Sequence, residues 1–340
     1  MQRRGLTVLL GALFVMLLGV GIMAAPVPYA VLKPGPTWDT LGEDGEGNLI
    51  IQLEGADSDP SAGQLHLTTV LADDRVTLLD VISAWFADTD AVVPEELVNP
   101  PGQSREEVER RNAEQFIRSQ SSAEEAALRY LGYPSRVVVT RVVDGAPAAG
   151  RLETGDVITA VDGVEVTQTG QIQQLVSGPP AGTTLTIDLL RDGAPQQVAV
   201  TTEALGDDGT GRLGVEITQE FDVPFELTIQ LDRIGGPSAG LMFALGIVDK
   251  LDPDDLTGGA IIAGTGSIDG AGNVGPIGGV PQKLVAAHEL GAVAFLLPSA
   301  NCAEALRTAP EGLPLLRVDT LEQAIQALAD LRADRQPTTC

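Results

Sequence analysis

Hydrophobic and polar positions divide the chain into stretches of different texture. Residues 5–32 carry no charge, and 5–25 are mostly Leu, Val, Ala, Gly and Met. As a helix, such a run matches the ~20 apolar residues a bilayer core requires. Pro26, Pro28, Pro34 and Pro36 then predict an extended stalk. Residues 48–53 and 64–70 alternate apolar and polar, which predicts two strands, with a loop at 57–60 between them. Residues 78–86 suit a short helix. After Pro100-Pro101-Gly102, the pairs Ser104/Glu107 and Ser122/Glu125 each have capping-box spacing. They predict two helices, one to about Arg118 and one ending near Gly132.

From Arg136 the pattern changes to short β-branched runs. Strands are expected at 156–161, 184–190 and 197–202, with Asp162-Gly163 and Asp192-Gly193 as hairpin turns and a helix at 169–176. Residues 206–211 read as a linker. Beyond it, strands expected at 225–231, 259–263, 293–297 and 315–318 alternate with helices at 241–248, 282–290 and 321–331. The fold class is therefore α+β: an N-terminal transmembrane helix, a β-rich domain, and an α/β domain.

Composition narrows the function. A chain of 340 residues, 44% of them hydrophobic, can form about two domains with sizeable cores. A formal net charge of −26 excludes a nucleic-acid partner, because phosphate contacts need clustered Lys and Arg. Arg3 and Arg4 precede the apolar run, so the positive-inside rule gives residues 1–4 as a cytoplasmic tail, 5–25 as an anchor, and the bulk of the chain as extracytoplasmic at the cell membrane. Cleavage after Met23-Ala24-Ala25 is the rival reading, and the run is long for a signal peptide. Cys302 and Cys340 leave a disulfide open, and two histidines are too few for a zinc site, so no metal or other cofactor is expected.

The chain has three lysines, Lys33, Lys250 and Lys283, against otherwise exclusive use of Arg. Only an amine can lose its proton in a protein, so each lysine is a candidate base. Lys283 falls in the first turn of the helix opened by Pro281, where the macrodipole opposes a cation and favours a neutral amine. Gly235-Gly236-Pro237-Ser238-Ala239-Gly240 precedes an apolar helix. A serine there can be a nucleophile beside backbone N–H groups able to hold an oxyanion, or simply a helix cap. His288 lies five residues past Lys283 and points elsewhere on the helix, so a Ser–Lys pair is the simpler pairing.

Two family resemblances rest on these residues. Asp144-Gly145-Ala146-Pro147-Ala148, Leu152-Glu153-Thr154-Gly155-Asp156-Val157-Ile158 and Val161-Asp162-Gly163 resemble a bacterial PDZ domain, placed at 124–204. That resemblance implies a peptide-binding loop at Leu131, Gly132 and Tyr133, where a plain helix C-cap at Gly132 is the alternative. Gly236-Pro237-Ser238-Ala239-Gly240, Thr265-Gly266 and Pro276-Ile277-Gly278-Gly279-Val280-Pro281-Gln282-Lys283-Leu284 resemble the proteolytic domain of Lon proteases, placed at 212–335. It implies Ser238 as nucleophile, Lys283 as general base and Thr265 as its orienting partner, with Gly236 and Pro237 in support. Ser267 stands where the family usually has an acidic residue. No Gly-Lys pair occurs, so no nucleotide is expected.

The expected function is an ATP-independent serine endopeptidase acting on unfolded or exposed protein segments, with self-association left open. The alternative is a membrane-tethered PDZ adaptor with an inert protease-like domain. Within the intervening extracytoplasmic segment 26–123, Asn48 to about Phe86 is expected to pack on the protease domain, which would make the PDZ-like region an insertion.

Overall fold

The computed structural model describes residues 2–56, 61–204, 209–231 and 234–340, with the side chains of 2–8 excepted. The loop expected at 57–60 and the first part of the linker expected at 206–211 lie outside the described residues. The chain divides into two compact units, one of Met1–Tyr130 with Glu226–Cys340 and one of Leu131–Phe225.

The first unit begins with helix α1 (Gln2–Met23). Here the transmembrane expectation is corrected: among the described residues no helix is long and apolar enough to cross a membrane. The transmembrane part of the fold class and the single-pass membrane location therefore do not stand.

The proline-rich stretch is not a stalk either. Residues Tyr29–Asp39 form strand β1, which pairs antiparallel with β3 (Gln64–Asp73) and β4 (Ala91–Pro94). The prolines are tolerated because the register shifts between Pro34 and Thr37, at an irregularity. Gly35 is required there, since a Cβ would lie 2.3 Å from Thr69 Oγ1. Strand β2 (Ile51–Glu54) follows β1, and helix α2 (Leu78–Trp85) opens with a Thr77–Asp80 capping box. The two helices expected after Ser104 are one, α3 (Arg105–Tyr130). No Gly or Pro interrupts its middle, so the helix runs on through Ser122 and Glu125.

The second unit holds β5 (Ser135–Val142), β6 (Val157–Val161), β7 (Val164–Glu165), helix α4 (Thr169–Ser177), β8 (Thr184–Arg191), β9 (Ala194–Thr201), β10 (Glu203–Ala204), β11 (Gly211–Arg212) and β12 (Val215–Phe221). The order across its main sheet is β12-β5-β6-β8-β9. The Asp-Gly turns have positive φ at Asp162, Gly163, Asp192 and Gly193, as tight hairpins demand. Ile172 and Val176 of α4 close a core with Val137, Val139, Ile158, Leu185 and Ile187. This unit ends later than the 204 read from sequence because β12 returns to pair with β5. It begins later because 124–130 are the last turns of α3.

The chain then re-enters the first unit through β13 (Glu226–Ile229), which pairs with β2. Helix α5 (Gly240–Leu251), β14 (Ile261–Gly264), β15 (Ser267–Ile268), β16 (Val274–Gly275), α6 (Val280–Leu290), β17 (Ala294–Pro298), α7 (Cys302–Thr308), β18 (Leu315–Val318) and α8 (Leu321–Arg332) complete it. The main sheet runs β18-β17-β14-β3-β1-β4, so strands from before and after the second unit share one sheet. Phe116 of α3 packs edge-on against Phe243 of α5, with ring centroids 5.8 Å apart. Cys302 and Cys340 are joined as a disulfide.

Candidate active site

Helix α5 is apolar all round and buried from Gly240 to Asp249, so its N-terminus is fixed by packing on every side. The glycine-rich segment before it is held from α3. Gly236 N–H donates to the Asn112 carbonyl at 2.9 Å, and Ser119 Oγ donates to the Pro237 carbonyl at 3.1 Å. The glycines permit this approach. A Cβ at Gly235 would lie 2.9 Å from the Asn112 Cβ, and one at Gly240 would lie 2.8 Å from Ser119 Oγ. The Ser238 carbonyl accepts two hydrogen bonds, from Gly266 N–H at 3.0 Å and from Thr265 Oγ1 at 3.0 Å. The serine segment is thus tied to Thr265-Gly266 just beyond β14.

Lys283 is placed by the start of α6. Gly279 is in the left-handed region at φ 71°, and its carbonyl accepts the Lys283 N–H at 3.2 Å. Val280, Leu284 and Ala287 anchor the helix in a core with Ala263, Phe295 and Leu297. This leaves the Lys283 side chain 2% exposed. Its Nζ donates to Thr265 Oγ1 at 2.8 Å. Burial lowers the ammonium pKa from its ordinary 10.5 to about 7. Thr265 is itself fully buried, so its hydroxyl links the lysine amine to the Ser238 backbone. Ser238 and Lys283 both line one cavity of about 490 Å³, with Val70, Pro237, Pro276, Ile277 and Gly278. Apart from the serine and lysine, its walls are apolar.

The other candidate bases sit elsewhere. Lys250 donates to the Leu41 carbonyl at 3.2 Å and is kept low by burial. His66 is buried within β3, where its Nε2 meets Gln64 Oε1 at 3.1 Å, and burial lowers its pKa. His288 is exposed on α6. Among the described residues, no group of three His, Cys, Asp or Glu side chains is arranged to hold a metal. Sequence reasoning missed Asn112, Ser119 and Val70. They lie far from the motifs in the chain and carry no local pattern.

In the second unit, Leu131, Gly132 and Tyr133 form a turn in which Gly132 has φ 78°. The Tyr133 ring rests edge-on against Phe225 at 5.6 Å. None of the three lines the unit's cavity of about 830 Å³. That cavity lies between Thr169, Ile172, Gln173 and Val176 of α4 and the segment Arg212-Leu213-Gly214-Val215. Strand β12, which continues that segment, is an edge strand paired only with β5.

Comparison with known proteins agrees with both halves of this arrangement. Residues 106–202 match the PDZ domain family, and residues 233–329 match the Lon protease (S16) C-terminal proteolytic domain. Lon protease 1 of Thermus thermophilus is 38% identical over 96 residues, covering 27% of this chain and 11% of that protein. The archaeal Lon protease of Methanocaldococcus jannaschii is 32% identical over 110 residues, covering 32% of this chain and 16% of that protein. The chain thus spans less than a fifth of the length of either relative. Among solved structures, the PDZ domain of an SdrC-like protein from Listeria monocytogenes is 27% identical, covering 24% of this chain and 85% of that one, with a TM-score of 0.23.

Proposed function

We propose that this chain, which joins a PDZ domain to a Lon-type proteolytic domain, is an ATP-independent serine endopeptidase working through Ser238 and Lys283. The observation that carries the reading is the buried Lys283 amine, hydrogen-bonded to Thr265 in the cavity that Ser238 lines. An amine with a pKa near 7 is neutral in a large fraction of molecules at neutral pH. Neutral Lys283 takes the proton from Ser238 Oγ as that oxygen attacks a peptide carbonyl. It then delivers the proton to the leaving amine, giving an acyl-enzyme that water hydrolyses by the same route. Thr265 Oγ1 accepts from the amine and donates to the Ser238 carbonyl, so one hydroxyl sets both groups. The N-terminus of α5 directs its positive end at the site, which favours the developing oxyanion.

Substrates reach such a cavity as extended, unfolded segments. Its apolar walls suit an apolar side chain beside the scissile bond. The groove between α4 and Arg212–Val215 has the elements for strand addition: an edge strand, an apolar helix face and a turn of backbone. We assign it the role of holding a substrate segment. The test is cleavage of unfolded casein without ATP or added metal, wild type against Ser238→Ala. Cleavage by wild type alone supports the reading. Equal cleavage by both would overturn Ser238 as the nucleophile, and none by either would favour the inert adaptor.

A further inference from the structure

Asn301 lies outside every motif that points to the site, yet its side chain is spent on one residue of the cavity wall. It is 6% exposed, between β17 and α7. Its Oδ1 accepts the Ile277 N–H at 3.0 Å, and its Nδ2 donates to the Ile277 carbonyl at 2.9 Å. A single amide thus completes both backbone hydrogen bonds of Ile277, as a neighbouring strand would. The wall segment Pro276-Ile277-Gly278 needs such support. It lies between the two-residue strand β16 and the left-handed Gly279, and its glycine offers no conformational preference of its own.

Asn301 is itself held from both sides. Ser299 donates its N–H to Asp319 Oδ1 at 3.3 Å, with its hydroxyl on the same oxygen, and Cys302 is bonded to Cys340. The tail bearing Cys340 is paired back on β18, where Cys340 N–H donates to the Leu315 carbonyl at 3.1 Å.

We propose that Asn301 is a positioning residue of the protease site: by closing both backbone bonds of Ile277 it fixes the cavity wall that keeps water from Lys283. The inference rests on the Ser238–Lys283 reading above. Without that amide, the two Ile277 backbone groups must find water, and the wall segment beside the buried Lys283 loses its fixed position, opening the amine to water. Hydration of the cavity lessens the desolvation that makes the amine a usable base. Burial is the cause of that lowering, and no charged side chain shares in it.

The chain's three lysines make the test direct. Protein labelled with ¹³C only at lysine gives three ε-carbon signals, and the one lost in Lys283→Met identifies Lys283. Its titration is compared in wild type, Asn301→Ala and Asn301→Ser, alongside casein cleavage at pH 7. The midpoint should rise by about one pH unit in Asn301→Ala, which leaves about fivefold less neutral amine at pH 7. Cleavage should fall at least as far. Asn301→Ser keeps one uncharged polar group for the Ile277 backbone and should fall between. A folded Asn301→Ala protein with the wild-type Lys283 midpoint would overturn the inference, even if cleavage fell. If Asn301→Ala does not fold, Asn301→Ser decides by the same readings. A wild-type Lys283 midpoint near 10.5 would defeat the dyad reading itself, and the inference with it.

Discussion

At the scale of single residues, the account turns on a lysine that is destabilising where it sits. The Lys283 pKa is about 7 in the folded chain against 10.5 for a free side chain. Below pH 7 both states bind the proton and the folded state bears the full cost of the buried charge. As pH rises from about 7 to 10.5, the folded amine is already neutral while the unfolded one still binds a proton, so stability rises across that window. Lys283→Met should therefore abolish cleavage and raise stability at pH 6 by on the order of a few kcal/mol, the gain fading toward pH 10. Denaturant titrations of both proteins at pH 6 and pH 10 check this; a gain equal at both would contradict it. Thr265→Val removes the acceptor for the amine and the donor to Ser238 while keeping shape. It should lower the cleavage rate by about 10²-fold, read as kcat with an unfolded substrate, because the two groups it sets are the proposed reacting pair. The glycine run before Ser238 and the first-turn position of Lys283 made the proposed pair legible in the sequence. Ser119, Asn112 and Asn301 were not, because each acts through a backbone atom more than twenty positions away, and a hydrogen bond of that kind leaves no periodicity.

At the scale of elements, period and caps carried most of the reading, and tertiary context decided the rest. Helix α5 was legible because its apolar positions are continuous, and strand β18 because Leu315–Val318 is short and bounded. Strand β1 was not, because the prolines imitate a stalk, and only its pairing with β3, irregular between Pro34 and Thr37, shows how the two inside the strand are tolerated. The single helix α3 was read as two because Ser122 and Glu125 imitate a start signal inside a run of good helix formers. The start of α6 makes a prediction of its own. Gly279 has φ 71°, and a Cβ there would lie 2.6 Å from Val70 Cγ2, in the cavity wall. Gly279→Ala should cost about 1–3 kcal/mol of stability and displace Lys283 enough to lower cleavage well beyond the loss of folded protein. Thermal unfolding together with activity per folded molecule separates the two effects.

At the scale of the whole molecule, the proteolytic unit is built from both ends of the chain. Strands β1 and β3 share a sheet with β14, and α3 supplies the contacts that hold the serine segment. A chain beginning at Gly211 lacks all of these and should show no cooperative unfolding transition. Conversely, replacing Leu131–Phe225 with a short Gly-Ser linker leaves that unit its own core. Such a protein should fold and hydrolyse short fluorogenic peptides; failure of either would show that the site depends on the second unit. The full chain offers the most direct measurement of the central claim, the rate of casein cleavage against pH without ATP, for wild type and Lys283→Arg. The wild-type rate should rise with pH through a midpoint near 7, as the buried amine loses its proton, and Lys283→Arg should be inactive throughout, because a guanidinium cannot deprotonate. A Lys283→Arg enzyme that cleaves casein with the wild-type profile would contradict the assignment of Lys283 as the base.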